Sequence, residues 1–319
     1  MNAVVVGSAN TDLIIHVECL PALGDTEVGK GFKHVAGGKG ANQAVCLSRL
    51  GVQTRFIARF GKDDFSSLLM EDISRWGVSL SHAVIDNKRH GGVVFILVDR
   101  SGNNTMIADL GANLFLDEHD IENARELFTD ADVLMLQFEV SENANKKACD
   151  LAKKNGMKVV LNPAPVKKFD ISILKNVDVL TPNLFELSRI LQLVEGKNVL
   201  SPEEKDTAKI AEAAAKLTEL GIKHVLVTLG ERGCVHADSR GVQMYGSFRV
   251  KQIDSTAAGD SFTSAFALKY AEGDEIENAV KFASAAAAIT VTREGAIPSV
   301  PSRDEVEDFL KEHTIRKFV

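Results

Sequence analysis

The stretch DTAKIAEAAAKLTELGIKHVLVT, Asp206 to Thr228, carries the pattern that decides the fold. Ile210, Ala213, Ala214, Leu217 and Leu220 recur at helical spacing and share one face, while Glu212, Lys216 and Glu219 fall outside it. Gly221 follows at the expected helix stop. The next run, His224–Thr228, is β-branched and almost continuously apolar. A strand with no polar face is one covered on both sides, as in a parallel sheet.

The same alternation repeats outward in both directions. Further strands are expected at Ala3–Gly7, Thr54–Phe60, Val93–Val98, Val133–Gln137, Lys158–Asn162 and Val177–Thr181. Helical patterns occupy Asn42–Leu50, Phe65–Trp76, Ala144–Lys154 and Ser261–Ala271, three of them closed by Gly51, Gly77 and Gly156. Strand–helix alternation of this kind predicts a three-layer α/β fold with a mainly parallel sheet. Two segments break the rhythm. Residues 13–36 hold Ile14, Ile15, Val17 and Val28 with turn residues Pro21 and Gly24, but no helix. Residues 89–109 read as a hairpin turning at Ser101-Gly102-Asn103. Together they predict a small β-sheet lid on a single domain spanning residues 1–319.

Composition narrows the function. The 319 residues are 45% apolar and 25% charged, which provides enough apolar surface for a globular core. A net charge of -7 argues against a nucleic-acid binder or a basic membrane anchor. The cysteines, Cys19, Cys46, Cys149 and Cys234, are far apart and have no histidine at ligand spacing, so reduced thiols in a cytoplasmic protein are expected. No apolar run approaches a membrane span, and residues 282–291 are too short for one.

Three segments suit chemistry. Asp254-Ser255-Thr256-Ala257-Ala258-Gly259-Asp260 precedes a helix, so small residues and free N–H groups adjoin a carboxylate. A base beside an anion cradle suits phosphoryl transfer, although the segment also reads as an ordinary helix cap. Gly37-Gly38-Lys39-Gly40-Ala41-Asn42 leads into another helix, lacks the Ser or Thr of a Walker A loop, and suits a hydroxyl-rich ligand or a tight turn. Gly7-Ser8-Ala9-Asn10-Thr11-Asp12 follows the first strand, where α/β folds bind ligands, without the glycine pattern of a dinucleotide site. Glu139, Asn183, Glu186 and Thr228–Gly233 also follow strands. Each is bland alone. Glu186 could reach magnesium through water or be a solvated helix residue.

In this order the residues resemble the ribokinase family of sugar kinases, the phosphofructokinase-B-type group, from Val4 to about Phe309. Gly37–Asn42 and Asp254–Asp260 are similar to its two signature regions. The wider family usually has Gly where this chain has Ala257, whereas its ribokinases commonly carry Ala. Ala285–Ala288, Val291–Ala296 and Pro298–Pro301 are also ribokinase-like.

The resemblance implies Asp260 as the base on the sugar's primary hydroxyl, and the N–H groups of Ala257, Ala258 and Gly259 as an anion hole. It implies a sugar held by Asn10, Asp12, Gly38, Lys39, Gly40, Ala41, Asn42 and Glu139. ATP would lie along Asn183, Thr228, Leu229, Gly230, Glu231, Arg232, Gly233 and Gly259, with Ser284 where relatives often have a larger nucleotide-contacting side chain. Glu186 matches an Asn-x-x-Glu pattern tied to Mg2+ and phosphate. Asp254, Thr256, Thr290, Arg293, Gly295 and Ser299 match positions that hold an activating K+. The lid would clasp that of a second subunit, making a homodimer. The activity implied is ATP-dependent sugar phosphorylation with ribose as substrate. Deoxyribose, another sugar or a nucleoside is the alternative, and a catalytically silent sugar-binding regulator is the alternative from another class.

Overall fold

The computed structural model describes residues 1–315. The first part of the chain forms β1 (Asn2–Val6), β2 (Asn10–His16), β3 (Phe32–Gly37), α1 (Lys39–Arg49), β4 (Gln53–Ile57), β5 (Arg59–Gly61), α2 (Asp64–Arg75), β6 (Val84–Asp86), β7 (Gly92–Val98) and β8 (Asn104–Asp109). The middle forms α3 (Glu118–Asn123), β9 (Val133–Leu136), α4 (Glu142–Lys154), β10 (Lys158–Leu161), β11 (Val179–Leu180), α5 (Leu184–Glu195), α6 (Thr207–Thr218) and β12 (His224–Thr228). The last part forms β13 (Cys234–Asp238), β14 (Gly241–Tyr245), α7 (Ala258–Glu272), α8 (Ile276–Thr290) and α9 (Arg303–Glu312).

The central sheet has the order β14-β13-β12-β11-β10-β9-β1-β4, parallel except for the β12–β13–β14 edge. Its continuous apolar strands bury both faces. Along β1, Ala3 and Val5 enter one core with α1, α7 and α8, while Val4 and Val6 enter a second with α4, α5 and α6. Each buried aliphatic side chain contributes roughly 1.5–3 kcal/mol by leaving water. A separate four-stranded sheet, β3-β2-β7-β8, forms from the two segments that broke the sequence rhythm. Its hairpin turn carries Gly102 at φ 82°, and Asp99 accepts from the Ser101 and Asn103 N–H groups.

Several boundaries differ from the sequence reading. Thr54–Phe60 is two strands, with β5 leaving the central sheet to pair with β6. The first segment of the small sheet spans Asn10 to Gly37 rather than residues 13–36, so Asn10 and Asp12 sit on its first strand. Helices α3, α5, α8 and α9 and strands β13 and β14 were not expected. In α8, Ala279, Val280, Phe282, Ala283, Ala285, Ala286 and Ala288 are all buried, which erases the polar stripe that marks a surface helix. Among the described residues, no helix is long and apolar enough to cross a membrane.

Candidate active site

Two helix starts face each other across the site. The first turn of α7 carries Asp260, which is 6% exposed. Asn42 Nδ2 in α1 donates to Asp260 Oδ2 at 2.9 Å, and Gln43 Nε2 donates to Oδ1 at 2.9 Å. Adjacent positions on α1 therefore clamp both carboxylate oxygens. Gln43 is itself held, since Gln137 Nε2 donates to its Oε1 at 2.6 Å. Burial pushes the Asp260 carboxyl up, Lys39 and the two amides pull it back, and it remains above the usual aspartate range. Asn42 Oδ1 is buried with no hydrogen-bond partner.

Helix α7 starts without a side-chain cap. Ala257 takes its N-cap position at φ 60°, ψ 7°, the one non-glycine residue with positive φ among those described. A left-handed residue leading into right-handed helix turns successive N–H groups toward one concavity, which favours an anion. The Ala258 N–H donates to Ser255 O at 3.2 Å, so it is occupied in this state.

The start of α1 packs on the β1–β2 turn. A Cβ at Gly40 would lie 2.6 Å from Ser8 N, and one at Gly38, whose φ is 91°, would lie 2.7 Å from Asn10 N. Both positions need glycine so that the two loops can touch. Ala41 N–H donates to Ser8 O at 2.9 Å, and Glu139 Oε2 accepts from the Ser8 hydroxyl and from Lys39 N–H. Burial works against the Lys39 charge, but Asp260, Glu139 and Glu186 outweigh it and hold the amine above the usual lysine range. Asn10 Oδ1 accepts from Asn113 Nδ2 at 2.9 Å. Asp12 is half-buried. Burial first, and then the Glu139 charge, push its carboxyl up to about 7.

Asn183 caps α5 through a reciprocal box: Glu186 N–H donates to Asn183 Oδ1 and Asn183 N–H donates to Glu186 Oε2, each at 2.8 Å. Glu186 is 9% exposed, so it is not a solvated helix residue. Burial drives its pKa up, opposed by the Asn183 N–H and Lys39.

A cleft of about 280 Å³ opens beside the α7 start, lined in part by Thr228, Gly230, Glu231, Gly233, Gly259 and Ser284. Asn183, Leu229 and Arg232 do not line it, and the Arg232 guanidinium instead donates to the carbonyls of Glu204 and Lys205. Ser247, Phe248, Val250, Gln252 and Phe262 do line it, and no sequence signal marked them.

The expected cation residues cluster in part. Asp254 Oδ1 accepts from Thr256 N–H and hydroxyl at 2.9 and 2.7 Å, and Oδ2 accepts from Gly295 N–H at 2.9 Å. Burial works against the Asp254 charge, but these donors outweigh it and hold the carboxyl below its usual range. Arg293 N–H donates to Thr290 O at 3.1 Å. The Thr290 and Ser299 hydroxyls are buried and donate to Ala286 O and Ala296 O.

A cleft between a parallel sheet and a capless helix start, with a small second sheet alongside, belongs to the class of carbohydrate kinases of the ribokinase-like fold. The model of the pfkB family carbohydrate kinases matches residues 1–303, and this chain belongs to that family. A ribokinase of Haemophilus influenzae is 34% identical over 307 residues, covering 96% of this chain and 97% of the relative. A deoxyribokinase of Salmonella typhi is 32% identical over 312 residues, covering 97% and 99%. The structure of Arabidopsis thaliana ribokinase complexed with ribose and ATP superposes with a TM-score of 0.88 at 34% identity, covering 97% of this chain and 98% of that one. The chain is an ATP-dependent carbohydrate kinase.

Proposed function

We propose that this kinase transfers the γ-phosphoryl group of ATP to the primary hydroxyl of D-ribose, giving ribose 5-phosphate and ADP. The observation that carries the reading is the buried Asp260 carboxylate, held by Asn42 and Gln43 at the uncapped start of α7. A fixed carboxylate can take the hydroxyl proton as the oxygen attacks phosphorus, and the N–H groups of Ala257, Ala258 and Gly259 are assigned to the charge spreading over the phosphoryl oxygens, Ala258 once its N–H leaves Ser255 O. Asn10, Asp12, Gly38, Lys39, Gly40, Ala41, Asn42 and Glu139 are the residues assigned to the sugar. The nucleotide is assigned to the 280 Å³ cleft, which also supports Ser284 in the ATP site.

Glu186 fits an Mg2+ role, because its Oε1 is not used by the capping box and its buried charge invites a cation. Mg2+ accompanying ATP would neutralise phosphate charge. The loop of Asp254, Thr256, Thr290, Arg293, Gly295 and Ser299 fits K+: its donors are oxygens, and Asp254 is the one carboxylate among them.

The small sheet is assigned as a lid over the sugar and as the surface for a second subunit. Phe32, Phe95, Met106 and Ile107 expose 50% or more of their surface there, an unusual concentration for a monomer. The four free cysteines support a cytoplasmic address.

The test is ADP release across a panel of ribose, deoxyribose, other sugars and nucleosides, with Mg2+-ATP. Preference for D-ribose is expected. Turnover confined to deoxyribose or a nucleoside would replace the substrate.

A further inference from the structure

Strand β12 connects two different places. Thr228, at its C-terminal end, lines the nucleotide cleft, while His224 stands at its start, about 13 Å away at ~3.3 Å per residue. There the antiparallel edge places His236 and Asp238 of β13 on the same face as His224. Their neighbours Val225, Val235 and Ala237 point into the core on the opposite side. His224 Nδ1 lies 3.1 Å from His236 Nε2, and Asp238 Oδ2 lies 3.9 Å from the first nitrogen and 4.0 Å from the second.

We propose that His224, His236 and Asp238 bind a late first-row divalent cation of the Zn2+ type, at a site separate from the one that transfers phosphate. The three distances define a triangle whose centre is about 2.1 Å from each ligand atom, within the ~2.0–2.2 Å range of zinc bonds to imidazole nitrogen and carboxylate oxygen. Two imidazoles and one carboxylate suit zinc and its neighbours, whereas magnesium and calcium take oxygen ligands. Without a cation, two ring nitrogens 3.1 Å apart share at most one proton.

The surroundings hold the ligands in place and leave access. His236 is 2% exposed, and its ring stacks on His224 with centroids 5.3 Å apart. The Tyr270 ring packs edge-on against His224 with centroids 5.2 Å apart. A cleft of about 540 Å³ reaches His224 and Asp238 from solvent, offering a path for the ion and room for water as a fourth ligand. Arg240 opposes the cation. Its Nε and one terminal nitrogen donate to Asp238 Oδ2 at 3.1 and 2.9 Å, and it is the exposed partner.

The test uses full-length protein, stripped by a chelator and free of Mg2+ and nucleotide, titrated with Zn2+ by calorimetry. One equivalent should bind to the wild type. His224→Ala and Asp238→Asn, each with an unchanged circular dichroism spectrum, should weaken that equivalent at least tenfold. Arg240→Ala should tighten it severalfold by removing the competing charge. Wild-type affinity in His224→Ala, or no binding at all, would overturn the site. X-ray absorption at the zinc edge of the wild type needs no variant. Two imidazole rings are expected, and an oxygen-only shell would overturn the proposal.

Discussion

Gln43 Nε2 donates to Asp260 Oδ1 across 2.9 Å while Gln43 Oε1 accepts from Gln137 Nε2, so the buried carboxylate ends a chain of two side-chain amides that reaches back to the strand end at Leu136. A hydrogen bond to a charged group is worth about 1.5–3 kcal/mol. Here it also opposes the burial that raises the Asp260 pKa. Gln43→Ala should therefore lower kcat and move the acid limb of the kcat/KM profile to higher pH, because more of Asp260 stays protonated. An unmoved pH profile would reduce Gln43 to a packing role.

Asp12 gives a pH dependence of a different kind. Its pKa is raised from 3.8 to about 7, so the folded protein holds this proton more tightly than the unfolded chain does. Stability is consequently lost as pH rises from about 4 to about 7. Asp12→Asn should raise the Tm of the ligand-free protein by a few degrees at pH 8 and leave it unchanged at pH 4. Sugar hydroxyls donate best to the carboxylate, so ribose should bind more tightly at pH 8 than at pH 6. In Asp12→Asn that trend should vanish and affinity fall about 10–100-fold. Thermal melts and ribose titrations at the three pH values check both statements.

Ala257 holds a left-handed conformation that costs an ordinary L-residue about 1–2 kcal/mol. Ala257→Gly relieves that cost while adding about 0.5–1 kcal/mol of unfolded-chain entropy, so Tm and kcat should stay close to the wild type. Ala257→Val puts a β-branched side chain where φ is 60° and should lower both Tm and kcat. A Val variant with wild-type turnover would show that the N–H geometry at this turn does not govern transfer.

Asp254 ties Thr256 to Gly295 and thereby joins the two segments proposed to hold K+. Replacing Na+ with K+ should raise the rate of the wild type severalfold. In Asp254→Ala the rates in the two salts should converge. Equal rates for the wild type would show that K+ does not activate this kinase.

The layered sheet was legible because strands such as His224–Thr228 are apolar throughout and helices such as α6 keep a polar face. Helix α8 was not, because its alanines are buried nearly all round and give no period. Both ends of the candidate site stand out in the sequence for one reason: small residues precede a helix at Gly37–Asn42 and at Asp254–Asp260. The clamp was only half legible. Asn42 stood inside a glycine-rich motif, whereas Gln43 gained its role only when α1 met α7 across 217 residues of chain. Phe248 and Gln252 reach the cleft proposed for the nucleotide from a segment without regular structure, and their spacing carries no pattern.

Asp260 is proposed as the base. Its most direct test is ADP release with D-ribose and Mg2+-ATP by the wild type and by Asp260→Asn, with ribose binding and circular dichroism measured on both. A fall in kcat of about 10²–10⁴-fold is expected, with the fold and ribose binding kept. Near-normal turnover by Asp260→Asn would contradict it.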